Sequence, residues 1–182
     1  MQAYHNNPDL KAQHMAWLHA DIAADRLVAG SYGRRANGGW RGCQWGCFLR
    51  SDTPHTIVED RIGIPRMLSR LSDSIFERLS EINREDGQRF AVAFFDAIPV
   101  GADLSLVWPR FAVWLLSDKD DGVIKFAKND QQRTAIQAVI DAYLRLLQGN
   151  APTQDEWRSY AYAAAAADAD ALYAAAYAAA AY

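Results

Sequence analysis

Apolar residues recur at helical spacing through most of the chain, and helix start and stop signals separate these stretches. Asn7 and Pro8 combine an N-cap with proline at the first helical position, and they predict a helix from Pro8 to about Val28. After Pro65 the apolar residues follow a three-then-four rhythm, which indicates a helix with one buried face. Asn129 is a further N-cap before a long amphipathic segment. The pattern predicts an all-α fold, a single compact multi-helix bundle.

Proline and glycine mark where the later helices begin and end. A helix that begins at Asp86 or Gly87 should end before Pro99, because proline removes a helical hydrogen bond. Pro109 is predicted to start the next helix, since an interior proline costs about 3 kcal/mol. Gly149 closes the long helix that precedes it.

Residues 154–182 are mostly alanine, the residue with the highest helix propensity. Thr153 and Glu156 have the spacing of a capping box, which places a helix start here. We expect a long alanine-rich helix that packs on the bundle or extends from it. Its small side chains and tyrosines also make self-association a hypothesis. The predicted domains are residues 1–153, a helical bundle, and residues 154–182, the alanine-rich helix.

The length, the net charge and the apolar runs of the chain exclude several classes of protein. A chain of 182 residues is long enough to bury a core, and a net charge of −3 argues against a general nucleic-acid coat protein. The first residues are polar and no uncharged apolar run reaches about 18 residues, so neither an export signal nor a membrane helix is expected. These features predict a cytoplasmic protein whose two cysteines are free thiols.

The segment from Gly30 to Cys47 differs from the helical remainder. Its six glycines discourage a helix and predict a loop, and no acidic residue occurs between Leu27 and Ser51. Guanidinium groups can bind phosphate or carboxylate, and aromatic rings can stack on a base. The candidate binding residues are Tyr32, Arg34, Arg35, Trp40, Arg41 and Trp45. The glycine spacing matches neither a Walker A loop nor a dinucleotide-binding loop, and a solvated loop anchored by its tryptophans is the alternative interpretation.

Two cysteines in the same segment suggest a second kind of site. Cys43 and Cys47 are four residues apart and would share a face if the segment is helical. His55 and Glu59 have the same spacing, so the four residues are a conceivable metal set for tetrahedral zinc. A catalytic thiol with His55 as its base is a further hypothesis. Buried cysteines that act as small apolar residues are the simpler alternative.

Several short motifs occur in a distinctive order. The chain carries GCQWGC, then GIP (Gly63–Pro65), AIPVGADL (Ala97–Leu104) and WLL (Trp114–Leu116), followed by the alanine-rich tail. This order resembles a group of uncharacterised proteins of bacteria and their phages, over most of the chain from about Asp9. The resemblance implies no catalytic residue and no cofactor. It implies a phage or mobile-element setting, in which small proteins often act by binding, including inhibition of a host defence system.

Catalytic motifs such as a Ser-His-Asp set or H-E-x-x-H are absent from the sequence. We therefore predict a non-enzymatic binding protein that holds a host partner protein or a small anionic, nucleotide-like ligand at the Gly30–Cys47 segment. One alternative is a metal-binding or thiol enzyme that uses Cys43, Cys47 and His55. The other is a structural protein that self-associates through its alanine-rich helix.

Overall fold

The computed structural model describes residues 1–166, and it confirms the predicted all-α, multi-helix fold. Within these residues the α-helices are α1 (Pro8–Ala23), α2 (Gln44–Leu49), α3 (Pro54–Ile62), α4 (Arg66–Ile82), α5 (Arg84–Ala97), α6 (Val107–Ser117), α7 (Asp130–Leu147) and α8 (Gln154–Ala166). Short 3-10 helices span Ala3–Asn6 and Val123–Phe126. Strands β1 (Arg34–Ala36) and β2 (Gly39–Arg41) pair as an antiparallel hairpin.

Side-chain caps fix several helix starts where the sequence places them. The Asn7 Oδ1 atom accepts hydrogen bonds from the backbone N–H groups of Asp9 and Leu10. Thr153 and Glu156 form the reciprocal capping box, with backbone-to-side-chain distances of 2.7 and 3.2 Å. Local rules therefore suffice for these helix boundaries.

Three predicted boundaries are wrong. α6 begins at Val107 and not at Pro109, which lies in the first turn, where proline is tolerated because its missing N–H would have no helical partner. α1 ends at Ala23 and not near Val28, because Arg26 turns back and its backbone N–H donates to the Asp21 carbonyl at 2.8 Å. α5 begins at Arg84, before the predicted Asp86 or Gly87. The Asn83 side chain caps it by accepting from the Glu85 N–H at 2.9 Å.

The described chain falls into two compact units, of which the first is Met1–Ser105. In this unit α4 packs against α5, and α1 packs against α2 and α5. Large aromatic side chains fill its core: the rings of Phe48 and Phe95 stack at 3.7 Å between centroids, and the Tyr4 hydroxyl donates to the Phe95 carbonyl at 3.0 Å. The short helix α2 lies inside this core, since all of its residues are buried.

The second unit is Leu106–Tyr182, which the structure describes as far as Ala166. In it α7 packs against both α6 and α8. The Trp108 Nε1–H donates to the Tyr143 hydroxyl at 2.9 Å, and the Tyr143 and Trp157 rings lie 4.9 Å apart. The described part of the alanine-rich helix thus packs on α7. The predicted continuation, residues 167–182, lies outside the described residues.

The predicted domain division at residue 153 and the predicted self-association through the alanine-rich helix stay predictions. Within residues 1–166, no helix is long and apolar enough to cross a membrane.

Candidate functional site

The glycine-rich segment predicted as a loop contains the only hairpin of residues 1–166. β1 and β2 pair Arg34 with Arg41, Arg35 with Trp40 and Ala36 with Gly39. The connecting residues 37–38 are Asn-Gly, and Gly38 has a φ of +74°, which suits a two-residue hairpin turn. The Asn-Gly pair was therefore the sequence signal for this hairpin.

The pleat of the hairpin divides the predicted binding residues between its two faces. Cross-strand partners share a face and successive residues alternate, so Arg34 and Arg41 lie together while Arg35 and Trp40 lie on the opposite face. All three arginines are exposed and Trp40 is half-buried. Like charges directly opposite each other destabilise a sheet, so the Arg34–Arg41 pair is unfavourable without an anion.

An open pocket of about 410 Å³ lies beside the Arg34–Arg41 face. It is lined by Ser31, Tyr32, Gly33, Arg34, Arg41 and Asp52. The Tyr32 side chain is 57% exposed, and its ring lies nearly perpendicular to the His55 ring, with 5.5 Å between the centroids. The volume lies within the range of about 300–1,000 Å³ that is usual for small-molecule sites.

The charges around this pocket are unevenly matched. The Arg41 Nη1–H donates to the Asp25 carbonyl at 3.0 Å, which anchors that guanidinium at the wall. The Arg34 side chain has no hydrogen-bond or ion-pair partner among residues 1–166. Asp52 is the one carboxylate in the lining. Two guanidinium groups thus face one carboxylate, and the pocket keeps a net positive charge.

The side chain of Asp21 in α1 connects the hairpin to the core. Its buried carboxylate forms ion pairs with Arg26 and Arg50, and its Oδ1 atom also accepts from the Trp40 N–H at 3.4 Å. A Cβ atom at Gly39 would collide with the same carboxylate, so glycine is required there. The hydrogen bond from Trp40 therefore joins β2, the strand that carries Arg41, to α1.

Gly42 and Gly46 allow the backbone of Tyr32 and Gly33, which forms part of the pocket wall, to pack closely against the start of α2. A Cβ atom at Gly46 would collide with the Tyr32 carbonyl, and one at Gly42 would collide with the Gly33 backbone. These contacts fix the segment that carries Tyr32. The shape of the pocket therefore depends on Gly42 and Gly46, although neither residue lines it.

The structure places Trp45 in the core and not at the pocket. The side chain is 0% exposed, its ring meets Phe95 edge-on at 4.8 Å, and its Nε1–H donates to Ser72 Oγ at 2.9 Å. Of the six predicted binding residues, Tyr32, Arg34 and Arg41 share the pocket, Arg35 and Trp40 lie on the other hairpin face, and Trp45 supports the core.

The two thiols are buried and point to different backbone carbonyls. Cys43 Sγ donates to the Tyr32 carbonyl at 3.6 Å, and Cys47 Sγ donates to the Gly42 carbonyl at 3.5 Å. Burial raises the pKa of both thiols, to about 12 for Cys47. Both are therefore protonated at neutral pH, which is the opposite of what an activated thiolate requires.

The imidazole of His55 contacts α4. Its Nδ1 lies 2.9 Å from Ser69 Oγ, and its Nε2 lies 3.0 Å from Asp73 Oδ2. Glu59 Oε1 instead accepts from the Arg66 N–H at 2.8 Å. Both ring nitrogens of His55 are thus engaged by groups that sequence spacing did not indicate.

The sequence interpretation missed Ser31, Gly33 and Asp52 as pocket residues. Asp52 follows α2, and no local pattern shows that the chain returns there beside Tyr32.

Comparison of the chain with protein families, curated proteins and solved structures found no match. The function proposed below rests on the geometry of this pocket.

Proposed function

We propose that this is a non-enzymatic binding protein that holds a small anionic ligand in the pocket beside Arg34 and Arg41. The supporting observation is the cross-strand pairing of these two exposed arginines, of which Arg34 has no partner among residues 1–166. Such a like-charge pair is destabilising relative to neutral residues. A phosphate or carboxylate between the two guanidinium groups would remove the repulsion and accept charge-assisted hydrogen bonds from both.

The other lining groups favour a nucleotide-like ligand. The exposed Tyr32 ring offers a face on which a base can stack. The Asp52 carboxylate only accepts hydrogen bonds, and it suits a hydroxyl or amino group of the ligand. Arginine on one side and carboxylate on the other would orient a molecule with an anionic end and a hydroxyl-bearing end.

Calorimetry and thermal-shift assays with AMP, ADP, ATP, pyrophosphate and a sugar phosphate would test the proposal. Arg34→Glu should weaken binding about 10- to 100-fold, because one charged hydrogen-bond partner contributes about 1.5–3 kcal/mol. Arg35→Glu is the matched control: the same charge change on the other hairpin face should alter affinity no more than about twofold by screened electrostatics.

Two results would contradict this assignment. Equal losses in Arg34→Glu and Arg35→Glu would indicate general attraction to a basic surface. Unchanged affinity in Arg34→Glu, or no binding by any of the five compounds, would remove the small-anion pocket. The host partner protein, the phage setting and the inhibition of host defence stay predictions from the sequence.

A further inference from the structure

A second cluster of chemically active groups lies in the same unit, between α2 and α4. Cys43 Sγ, a carboxylate oxygen of Asp73 and a carboxylate oxygen of Glu77 all lie within 4.8 Å of one another. Asp73 and Glu77 are four residues apart on α4, so both carboxylates lie on one helix face. Cys43 immediately precedes α2, and its thiol is fully buried.

The two oxygens of Asp73 are in different situations. Oδ2 lies 3.0 Å from His55 Nε2, whereas Oδ1 is buried and has no hydrogen-bond partner. A buried carboxylate oxygen without a partner is unfavourable, and such atoms in folded proteins need an explanation. His55 is held in turn by Ser69, so the orientation of the Asp73 carboxylate is fixed by two further side chains.

Basic side chains do not neutralise this cluster. Among residues 1–166, neither Asp73 nor Glu77 forms an ion pair with lysine or arginine. Glu77 Oε2 accepts from the Gly30 N–H at 2.7 Å, so its hydrogen-bond partner is a backbone group and not a cationic side chain. Three acidic groups this close cannot all ionise unless a cation joins them.

We propose that Cys43, Asp73 and Glu77 bind one divalent transition-metal ion of the zinc class, with His55 positioning Asp73. Sulfur and carboxylate oxygen are both zinc ligands, at about 2.3 Å and 2.0–2.2 Å respectively. The contact of His55 Nε2 with Asp73 Oδ2 would orient the carboxylate, as hydrogen bonds to metal-binding groups commonly do. Small inward side-chain shifts would bring the three ligand atoms to coordination distance.

This site differs from the metal set that the sequence suggested. It keeps Cys43, replaces Cys47 and Glu59 by two carboxylates of α4, and moves His55 from ligand to supporting residue. Cys47 serves as a control, because it is also buried but does not belong to the group formed by Cys43 and the two carboxylates.

Metal-depleted full-length protein should be titrated with Zn²⁺ by calorimetry and with Co²⁺ by absorbance. We expect one ion per chain and a thiolate-to-cobalt charge-transfer band in the near ultraviolet. Cys43→Ser should abolish that band and weaken Zn²⁺ binding at least about 10-fold, the lower limit for loss of an outer-shell partner. Cys47→Ser should leave the band and the affinity unchanged.

Glu77→Gln is a second ligand variant, at a partly exposed position where the fold should tolerate the change. It should keep the band and weaken Zn²⁺ binding. Arg34→Glu should not affect metal binding, which separates this site from the anion pocket. Failure of the wild-type protein to bind stoichiometric Zn²⁺ would overturn the proposal. A cobalt band that survives in Cys43→Ser, or that is lost in folded Cys47→Ser, would do the same.

Discussion

Residues 30–41 and residues 43–49 are neighbours in sequence, and each stretch contains glycine and two large aromatic residues, yet the two differ completely in burial. The first stretch is exposed or half-buried throughout, and it carries the unpaired charge of Arg34. The second is completely buried and contains Trp45, the largest fully buried side chain of residues 1–166. Composition alone treats the two stretches as one segment, whereas the fold leaves one at the surface and buries the other in the core.

Gly42 separates the two stretches. Its N–H donates to the Arg26 carbonyl at 3.1 Å, and its own carbonyl accepts from the Val28 N–H at 2.8 Å. Its α-carbon packs so closely on the Gly33 backbone that a side chain would not fit. The backbone is thus held by hydrogen bonds and close packing at the point where burial changes.

The largest expected effect is in the buried stretch. Trp45→Ala should lower the free energy of unfolding by about 3–5 kcal/mol, because it removes a core ring and leaves a cavity. Trp40→Ala, at the half-buried hairpin position, should cost less than about 1 kcal/mol. Urea unfolding followed by circular dichroism would measure both. Similar losses for the two variants would show that the hairpin belongs to the core.

A smaller effect is expected where the two stretches touch. Gly46→Ala should destabilise the protein by about 1–3 kcal/mol, since the new methyl group collides with the Tyr32 carbonyl. Gly30→Ala is the control for backbone strain without a collision: it has open space, and the strain of a φ of +82° costs about 1–2 kcal/mol. If Gly46→Ala unfolds at the same urea concentration as wild type, the close approach is not a constraint.

The smallest expected effect is an increase in the free energy of unfolding. Arg34→Glu places a carboxylate opposite Arg41 and should raise the free energy of unfolding by about 0.2–1 kcal/mol. Arg35→Glu should bring no such gain, because its partner is Trp40. Parallel thermal melts without ligand, at low salt, would detect the difference. A lower melting temperature for Arg34→Glu would argue against repulsion in the wild-type pair.

Local rules explain which parts of the fold were predictable. The caps at Asn7 and at Thr153–Glu156 depend on residues within one turn, and both helix starts are confirmed. The end of α1 was not predictable, because it depends on the buried Asp21 carboxylate that draws Arg26 out of the helical path. The hairpin was predictable from its Asn-Gly turn, but the glycine content pointed to a loop.

The candidate sites were predictable only in part. The acid-free basic stretch indicated Tyr32, Arg34 and Arg41, which the structure brings to one pocket. Nothing local distinguishes Trp45 from Trp40, because which tryptophan is buried depends on the helices packed around it. The grouping of Cys43 with Asp73 and Glu77 joins residues about thirty positions apart, and sequence spacing carries no information about such a contact.

The repulsive arginine pair has a consequence for anyone who engineers this protein. A library selected only for heat resistance should enrich acidic or neutral replacements at Arg34, since each one relieves the repulsion across the hairpin. The same replacements would remove the unpaired guanidinium from the pocket. Thermostabilised versions that carry such a replacement should therefore bind the proposed anion less tightly, and a directed-evolution campaign needs a binding screen at every round.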